Sequence, residues 1–335
     1  MKSTPFICPV CGELLEAGIS QHICPSCRQV YPHILGIPDL CPPDLAPSPA
    51  ETVVVEKLSR VYQEATLEQL IELRFSTLAK SSGYVCEEQV QSISRYSNTK
   101  ESRGEQFYRA FKRMLARYLS APATGTALDI GCGTGGGIAP LASDFRCVVG
   151  LDISMSALII ARKLIETQGI TNVLLVRGTA LNLPFADKLF DYCMAINVLE
   201  HVFEPGLMLK EISRVLALGG LFSGDSRNRF DLFFPEPHVK LRWLGFLPRG
   251  WMRSYVRLRK NIDYEEMHTH LLSYWDLENA LSSAFADNWL IATPDLSVYG
   301  ISDRIKSVIM GLDKVAHPLL VRLSPSHWAF ARRQV

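Results

Sequence analysis

The stretch that decides the fold is Ala127-Leu128-Asp129-Ile130-Gly131-Cys132-Gly133-Thr134-Gly135-Gly136-Gly137. It predicts a buried strand that contains an acidic residue near its end and opens into a run of glycines before a helix. Glycines let a backbone turn approach a ligand closely, because they adopt conformations that side chains exclude. The stretch therefore predicts a ligand-binding turn at the carboxyl end of a strand.

The glycine spacing alone leaves two classes of ligand open. Gly131, Gly133 and Gly136 satisfy the G-x-G-x-x-G pattern of dinucleotide sites. Asp129 decides between the two classes, because a carboxylate here would repel the pyrophosphate of a dinucleotide. The same carboxylate would attract S-adenosylmethionine, whose ammonium and sulfonium groups are both cations. The residues therefore favour S-adenosylmethionine.

A second apolar stretch, Cys147-Val148-Val149-Gly150-Leu151-Asp152, also ends in an acid. Asp152 follows the first glycine by about 20 residues, where a ribose-binding carboxylate is expected in a wound α/β fold. Alternatively, Asp152 only caps a helix that begins near Ser154. The Asp129 motif favours the ribose role, and we assign Ile153 to the same pocket.

These motifs resemble class I S-adenosylmethionine-dependent methyltransferases, in particular the small-molecule branch that includes quinone methyltransferases. The resemblance covers roughly residues 100–225 and continues more weakly to the C-terminus. It implies an α/β fold with a Rossmann-like seven-stranded sheet and helices on both faces. The reaction it implies is in-line transfer of a methyl group from the sulfonium to an oxygen, nitrogen or carbon nucleophile.

The resemblance also extends to the third and fourth strands. In many relatives an acid after the third strand binds the adenine amino group, and here Thr179 stands at that position. Backbone amides around Ala180 and Leu181 are the alternative donors. Asn197 lies in the loop after the fourth strand and is expected to line the pocket, since ligands bind at the carboxyl ends of the strands.

Several helices and strands are predicted around these motifs. Residues 51–80 and 105–119 are expected to be helical, and the apolar stripe of the second segment is expected to face the core. A helix over 209–216 is expected to end at Gly219-Gly220 and lead into the fifth strand near residue 221. The tail predicts helices near 273–281 and 305–323 and strands near 288–292 and 327–333.

Four cysteines near the N-terminus predict a separate metal site. Cys8-Pro9-Val10-Cys11 and Cys24-Pro25-Ser26-Cys27 form two C-x-x-C knuckles, and four converging thiolates suit a closed, structural zinc ion. Redox dithiols are the alternative, but they need a βαβ context that is missing. The segment after them resembles the zinc ribbon of the small activator subunit of tRNA and protein methyltransferases. Zinc ribbons also precede the catalytic domain of bacterial rRNA guanine methyltransferases.

The predicted domain organisation follows from these segments. Residues 1–45 form a zinc ribbon, 46–120 a linker with helices, and 121–335 the methyltransferase domain, with a substrate lid inserted at about 226–272. The lid is rich in basic and aromatic residues, which suit nucleic acid, an anionic membrane or a phosphorylated lipid, or simply a packed lid with solvated charges. These residues are Arg227, Arg229, Lys240, Arg242, Arg249, Arg253, Arg257, Arg259 and Lys260 among Phe230, Phe233, Phe234, Trp243, Phe246, Trp251 and Tyr255.

No residue stands out as the catalytic base. His201 after the fourth strand and His238 in the lid are candidates, and so is the His268-Thr269-His270 segment. A lone histidine is more often a structural hydrogen-bonding residue. Many enzymes of this kind work mainly by aligning the nucleophile with the donor.

Composition restricts the cellular location and the classes of partner that we expect. The chain has 335 residues, 47% of them hydrophobic, and a formal net charge of +1, so binding nucleic acid through overall charge is not implied. No apolar run reaches the roughly 18 residues of a membrane span, and the N-terminus lacks a signal core. We expect a cytoplasmic protein, peripheral at most to a membrane. The nine cysteines, an odd number, argue against a disulfide network in such a protein.

Three functions follow from the sequence. The first is methyl transfer to a small-molecule or lipid-like acceptor. The second is methylation of an RNA base, which the ribbon and the basic lid would serve. The third is a non-catalytic partner of another methyltransferase, which the intact Asp129, glycine and Asp152 set argues against.

Overall fold

The computed structural model describes residues 6–82, 103–118, 124–236, 239–261, 270–299 and 303–334. The chain divides into two compact units. The first comprises residues 1–109 and 123–192, and the second comprises residues 110–122 and 193–335.

Two sheets account for all named strands of the described residues. Four short antiparallel strands form the N-terminal sheet in chain order: β1 (Glu16–Ala17), β2 (Gln21–Ile23), β3 (Val30–Ile34) and β4 (Ile37–Pro38). Seven strands form the larger sheet: β5 (Thr126–Ile130), β6 (Cys147–Asp152), β7 (Val173–Arg177), β8 (Phe190–Ala195), β9 (Leu216–Arg227), β10 (Trp289–Ala292) and β11 (Ser326–Arg332).

The helices of the described residues separate these strands along the chain. They are α1 (Pro49–Val61), α2 (Leu67–Ser82), α3 (Arg103–Tyr118), α4 (Ile138–Asp144), α5 (Met155–Thr167), α6 (Pro205–Val215), α7 (Arg249–Lys260), α8 (Tyr274–Phe285) and α9 (Asp303–Leu323).

The larger sheet has the order β10-β11-β9-β8-β5-β6-β7. β5, β6 and β7 are parallel neighbours, and α4 and α5 provide the crossovers that parallel strands need. β11 runs antiparallel to both β9 and β10. The predicted Rossmann-like sheet of seven strands is confirmed.

The first unit has a core that joins the N-terminal helices to α5. Leu58 of α1, Leu70 of α2 and Ile160 of α5 belong to one cluster of buried apolar side chains. α1 begins at a Ser48 cap that accepts a hydrogen bond from the Glu51 amide, with Pro49 in the first turn. The predicted helical character of residues 51–80 is therefore confirmed, and these helices share a core with the larger sheet's crossover helix.

The predicted apolar stripe of α3 is buried where the structure describes it. Phe107, Phe111 and Leu115 are each at most 1% exposed. Within the second unit, the Phe111 ring packs edge-on against Trp328 and Phe330 of β11. These contacts confirm that the stripe belongs to the core.

One predicted boundary in the second unit is wrong. The helix before the fifth strand was expected to run to Leu216 and to end at Gly219-Gly220, but α6 ends at Val215 and β9 begins at Leu216. Leu216 already has extended φ and ψ angles, so the helix needs no glycine to end. Gly219, at a φ of 76°, instead lies within β9 and donates to the carbonyl of Arg333. The two glycines therefore belong to the strand.

The tail forms the predicted elements of the second unit. α8 starts with a capping box between Ser273 and Asp276. α9 covers the predicted segment but departs from helical geometry at Ala316, close to Pro318, as expected when a proline lacks its amide donor. β10 and β11 lie where the strands near 288–292 and 327–333 were expected.

Candidate cofactor site and cysteine cluster

The glycine turn after β5 has the geometry of a backbone cradle. Gly131, Gly133 and Gly135 all have positive φ, at 68°, 53° and 91°. A Cβ at Gly133 would meet no atom within 4 Å, whereas one at Gly135 would lie 3.2 Å from the Cβ of Ala161 on α5. Gly133 thus borders open space for a ligand, and Gly135 lets the turn pack closely on α5.

Asp152 ties this turn to the end of β6. Its Oδ2 accepts a hydrogen bond from the Gly133 amide, and its Oδ1 accepts one from the Ser154 amide, each at 2.8 Å. The side chain is therefore fixed beside the cradle. This fixed position is compatible with the proposed ribose role of Asp152. It is also compatible with the alternative capping role, because Ser154 is the N-cap of α5 and accepts a hydrogen bond from the Ala157 amide.

Two carboxylates lie at this end of the sheet, of which Asp129 is buried and Asp152 is half-buried. Asp129 is 3% exposed, and burial, aided by the charge of Asp152, raises its pKa to about 8. Burial also raises the pKa of Asp152, against the lowering effects of its two amide donors and of Arg74. A cation bound here would favour the ionised forms. The donor set therefore fits a positively charged ligand such as S-adenosylmethionine.

A network that the sequence analysis missed supports Asp152 from the N-terminal helices. Glu51 of α1 accepts hydrogen bonds from the Ser154 hydroxyl at 2.9 Å and from the Ser156 amide at 2.8 Å. Its other oxygen accepts from the Ser156 hydroxyl at 2.9 Å, and the same hydroxyl accepts from Nε of Arg74 at 2.9 Å. Glu51 is thus an acidic group at the N-terminus of α5, where a helix favours negative charge.

The next predicted contacts follow β6 and β7. Ile153 leaves its side chain 53% exposed, which suits an apolar surface for a flat ring, and its carbonyl accepts from Nε of Arg177. Thr179 is buried, and its hydroxyl oxygen accepts from the Leu181 amide at 3.2 Å. Of the two predicted amide donors for adenine, the Leu181 amide is therefore already engaged. The remaining predicted donor to adenine is the backbone amide of Ala180.

Asn197 lies in the second unit, in the loop that follows β8. It has a left-handed φ of 54°, and its amide donates to Oδ1 of Asp225 on β9 at 2.8 Å. Asp225 is only 1% exposed and carried no signal in the sequence. A non-glycine residue in this conformation costs energy and commonly marks a functional loop.

The candidate catalytic histidines have different surroundings. His201 is exposed at the end of a short 3₁₀ turn over Leu199–His201. His270 is half-buried, with its amide bonded to the carbonyl of Glu200 and its ring 4.6 Å from that of Phe203. His238 and His268 lie outside the described residues. Their catalytic roles stay predictions.

The four N-terminal cysteines converge as the knuckle spacing predicts. The sulfur atoms of Cys8, Cys11, Cys24 and Cys27 all lie within 4.8 Å of one another. Cys8 and Cys27 are 3.6 Å apart, and Cys11 and Cys24 are 3.4 Å apart. A tetrahedral zinc with sulfur ligands at about 2.3 Å requires sulfur separations of about 3.8 Å. The donor set therefore fits zinc, and the four-cysteine unit has the make-up of a zinc ribbon.

The backbone of the two knuckles repeats the same turn. The Gly12 amide donates to the Cys8 carbonyl and the Arg28 amide donates to the Cys24 carbonyl, and both residues have positive φ. The hydroxyl of buried Tyr31 lies 3.1 Å from the sulfur of Cys8. Although burial raises the pKa of the Cys8 thiol, the hydrogen bond with Tyr31 and backbone donors lower it to about 7. These contacts favour the thiolate form of Cys8.

The basic and aromatic lid combines packed and exposed side chains. Arg229 donates to the carbonyls of Gly245 and Leu247, and the Phe230 ring packs against Phe246. These contacts agree with the structural alternative for that part of the lid. The exposed part is α7, which carries five basic and no acidic side chains.

Comparison with known proteins agrees with this geometry. Residues 128–223 match the methyltransferase domain family. This part of the chain is a methyltransferase domain. The methyltransferase domain includes Asp129, the glycine turn, Asp152 and Asn197, and it confirms the predicted relationship to S-adenosylmethionine-dependent methyltransferases.

The relatives extend beyond the methyltransferase domain to different degrees. Over 116 residues the chain is 33% identical to the demethylmenaquinone methyltransferase of Bacillus licheniformis, covering 34% of this chain and 49% of that one. Over 208 residues it is 28% identical to the ajmaline N-methyltransferase of Rauvolfia serpentina, covering 58% and 68%. Among solved structures, the YcgJ protein from Bacillus subtilis has 18% identity and a TM-score of 0.44, covering 68% and 99%.

The chain spans about half the length of the demethylmenaquinone methyltransferases that it matches. Within the described residues, no helix combines the length and the apolar character needed to cross a bilayer.

Proposed function

We propose that this protein is an S-adenosylmethionine-dependent methyltransferase that acts on a small-molecule or lipid-like acceptor. The observation that carries the proposal is a pair of carboxylates, buried Asp129 and half-buried Asp152, beside a glycine turn that borders open space at Gly133. A dinucleotide phosphate would be repelled here, and a cationic cofactor would be held.

Each part of the first unit has a role in this proposal. Asp129 faces the positive end of the cofactor, Gly131, Gly133 and Gly135 let its backbone approach, and Asp152 accepts the ribose hydroxyls. The exposed side chain of Ile153 supports the adenine ring, with Thr179, Ala180 and Leu181 along its edge. Asn197, which belongs to the second unit, stays a predicted cofactor-binding residue.

The cofactor supplies a methyl group on a sulfonium. That methyl bonds to an oxygen, nitrogen or carbon of the acceptor as its bond to sulfur breaks, and the acceptor gives up a proton. The chain's task is to align the acceptor and to exclude water. His201 and His238 are the candidates to take the proton, by direct contact or through a water molecule.

The acceptor class is inferred from the relatives and from the lid. The relatives are named for small-molecule acceptors, demethylmenaquinone and ajmaline. In the lid, Trp251 and Leu258 of α7 are 69% and 83% exposed. They are seven positions apart, which is about two helical turns, so they lie on the same side of the helix.

These exposed side chains favour a lipid-like acceptor reached at a membrane surface. Met252 and Val256 bury the opposite side of α7, and arginines flank the exposed pair. Apolar side chains beside basic ones on a surface helix are typical of attachment to an anionic bilayer. We therefore place the protein at the periphery of a membrane during the reaction.

RNA base methylation is the second candidate, because the same basic face could hold a phosphate backbone while Trp251 stacks on a base. The chain's near-neutral net charge gives no further support for it. A non-catalytic role as a methyltransferase partner is the third candidate.

Transfer of a labelled methyl group tests these candidates together. Purified protein is incubated with S-adenosylmethionine labelled in the methyl group and with a lysate divided into RNA, protein and organic-extractable fractions. We expect label in the organic fraction, and none in any fraction with the Asp129→Asn variant. Label in RNA would favour the second candidate. No transfer despite confirmed cofactor binding would contradict catalysis with the tested acceptors and favour the partner role.

We further propose that Cys8, Cys11, Cys24 and Cys27 hold one structural zinc ion. All four positions of a tetrahedral site would be taken by thiolates, so no position remains for water or substrate. The ion would serve to fix the fold of the N-terminal sheet. Metal analysis of the purified protein is expected to give about one zinc per chain.

A further inference from the structure

The first cysteine knuckle contacts the loop that follows β7, and both lie in the first unit. The side-chain amide Nδ2 of Asn182 donates to the carbonyl of Pro9 at 2.8 Å, across 173 residues of sequence. Pro9 stands between Cys8 and Cys11. The carbonyl that accepts this bond is therefore positioned by the turn whose two ends carry cysteine ligands.

Neighbouring contacts hold the rest of this loop against the N-terminal sheet. The Ile7 amide donates to the Pro184 carbonyl at 3.1 Å, and Phe6 pairs with Phe185 in an isolated antiparallel bridge. Phe185 is fully buried. Asn182 thus lies at the start of a segment that the knuckle region holds through backbone, side-chain and apolar contacts.

The opposite end of this loop belongs to the proposed adenine pocket. Thr179 and Asn182 form an isolated bridge, and the Asn182 amide donates to the Thr179 carbonyl at 3.4 Å. Ala180 and Leu181 are the two residues enclosed by this turn. Movement of Asn182 would therefore move the backbone that is proposed to border the adenine ring.

Arg177, at the end of β7, provides a second connection of the same kind. Its guanidinium makes two 2.8 Å hydrogen bonds to the Asp39 carboxylate and donates through Nε to the Ile153 carbonyl at 2.9 Å. The Leu40 amide donates to the Arg177 carbonyl. The N-terminal segment consequently contacts the end of β7 directly and is connected to the loop after β6 through Arg177.

We propose that Asn182 is a positioning residue that links the cysteine knuckle to the adenine loop. The metal-ordered knuckle fixes the Pro9 carbonyl, that carbonyl fixes Asn182, and Asn182 closes the turn over residues 179–182. Affinity for the cofactor then depends on the knuckle although no knuckle residue is assigned to touch the cofactor. This inference rests on the proposed function.

The test compares Asn182→Ala and Asn182→Leu with the full-length wild type. The leucine variant keeps the side-chain volume and removes the donor, and Asn288→Ala changes an exposed asparagine of the second unit as the control. Calorimetry gives the Kd for S-adenosylhomocysteine, and hydrogen exchange reports on the amides of residues 179–185. Metal analysis gives the zinc content of each protein.

Both Asn182 variants are expected to bind S-adenosylhomocysteine about three- to tenfold more weakly, the effect of one lost hydrogen bond. Amide hydrogen exchange in residues 179–185 should be faster than in the wild type, and the zinc content should be unchanged. The Asn288→Ala control should match the wild type in all three measurements. Unchanged Kd or unchanged exchange would overturn the inference and leave the proposed function intact. A wild type that fails to bind would contradict the proposed function, and the proposed link to cofactor affinity would fall with it.

Discussion

At the scale of single residues, Asp129 sets the electrostatics of the candidate site. Its carboxyl is buried beside a second acid, and burial is the larger cause of its raised pKa of about 8. A buried carboxylate of this kind is costly unless a cation accompanies it. The residue is therefore better suited to binding a charged ligand than to stabilising the empty fold.

This raised pKa predicts that cofactor affinity depends on pH. Below pH 8 the free protein holds a proton on Asp129, and a cationic ligand must displace it, so affinity falls as pH falls. The ligand ammonium stays protonated between about pH 5.5 and 7.5. As pH rises through this range, we expect the Kd for S-adenosylhomocysteine to decrease by up to about tenfold per pH unit. Calorimetry in buffers of different ionisation enthalpy would show the released proton.

The Asp129→Asn variant should bind more weakly and lose most of this slope. Asp44→Asn, in the exposed linker, is the control and should behave as wild type. An equal slope in wild type and Asp129→Asn would assign the titration to another group, such as Asp152.

At the scale of elements, the N-terminal helices do more than connect the ribbon to the sheet. α1 delivers Glu51 to the first turn of α5, where the carboxylate accepts three hydrogen bonds from Ser154 and Ser156. α2 delivers Arg74 to the same place. Two helices that carry no catalytic motif therefore support the loop that contains Asp152.

Removal of this carboxylate should destabilise the protein. Glu51→Ala loses three hydrogen bonds and removes one of the two carboxylates that offset the charge of Arg74, so we expect a loss of about 2–4 kcal/mol in the free energy of unfolding. Urea unfolding followed by circular dichroism measures it. Glu56→Ala, at an exposed position of the same helix, should change it by less than about 0.5 kcal/mol. Equal effects of the two substitutions would show that the network contributes nothing specific.

The lid helix α7 supports a prediction about membranes. Leu258→Ser and Arg257→Glu should each reduce binding to vesicles of anionic phospholipid several-fold, because one loses buried apolar area and the other loses attraction to the surface. Co-sedimentation measures this binding, and vesicles of zwitterionic lipid should bind weakly throughout. Leu218→Ser, at a 51% exposed leucine of β9, is the matched control. If Leu258→Ser and Arg257→Glu leave vesicle binding unchanged, α7 is not the membrane-binding surface of the protein.

Sequence analysis succeeded where the chemistry is local and missed what the fold brings together. Asp129, Asp152 and the four cysteines stand in short motifs: the acids lie near the ends of β5 and β6 and the four sulfur atoms converge, while the roles of these residues stay predictions. The Glu51–Ser154 and Asn182–Pro9 contacts join residues 103 and 173 positions apart, and neither pair carries a pattern of its own. The start of β9 was misjudged because Gly219 reads as a helix stop, although it lies within the strand.

At the scale of the whole molecule, the N-terminal sheet and the strands of the larger sheet that belong to the first unit stabilise one another. The Arg177–Asp39 pair joins them, with side chains only 4% and 18% exposed. Breaking such a buried pair by removing one partner commonly costs about 3–5 kcal/mol, because the remaining charge is left without compensation. The small sheet is therefore bound to its unit by interactions that exceed those of an exposed ion pair.

Removal of zinc should consequently lower the stability of the first unit as well as that of the ribbon. Without the ion, four thiols replace one closed site, and the segment that carries Ile7, Pro9 and Asp39 loses its internal restraint. We expect a strong chelator to lower the midpoint of thermal unfolding by about 5–10 °C, and added zinc, but not magnesium, to restore it. Calorimetry with parallel metal analysis measures both quantities.

Cys24→Ser should reproduce the effect without a chelator, because it removes one of the four ligands. Cys147→Ser changes a half-buried cysteine outside the cluster and serves as its control. A wild type that contains no zinc, or a midpoint that neither chelation nor Cys24→Ser changes, would contradict the metal assignment. The midpoint of thermal unfolding could also fall while amide hydrogen exchange in residues 179–185 stays slow. In that case the ion stabilises only the ribbon, and the larger sheet holds the cofactor loop without it.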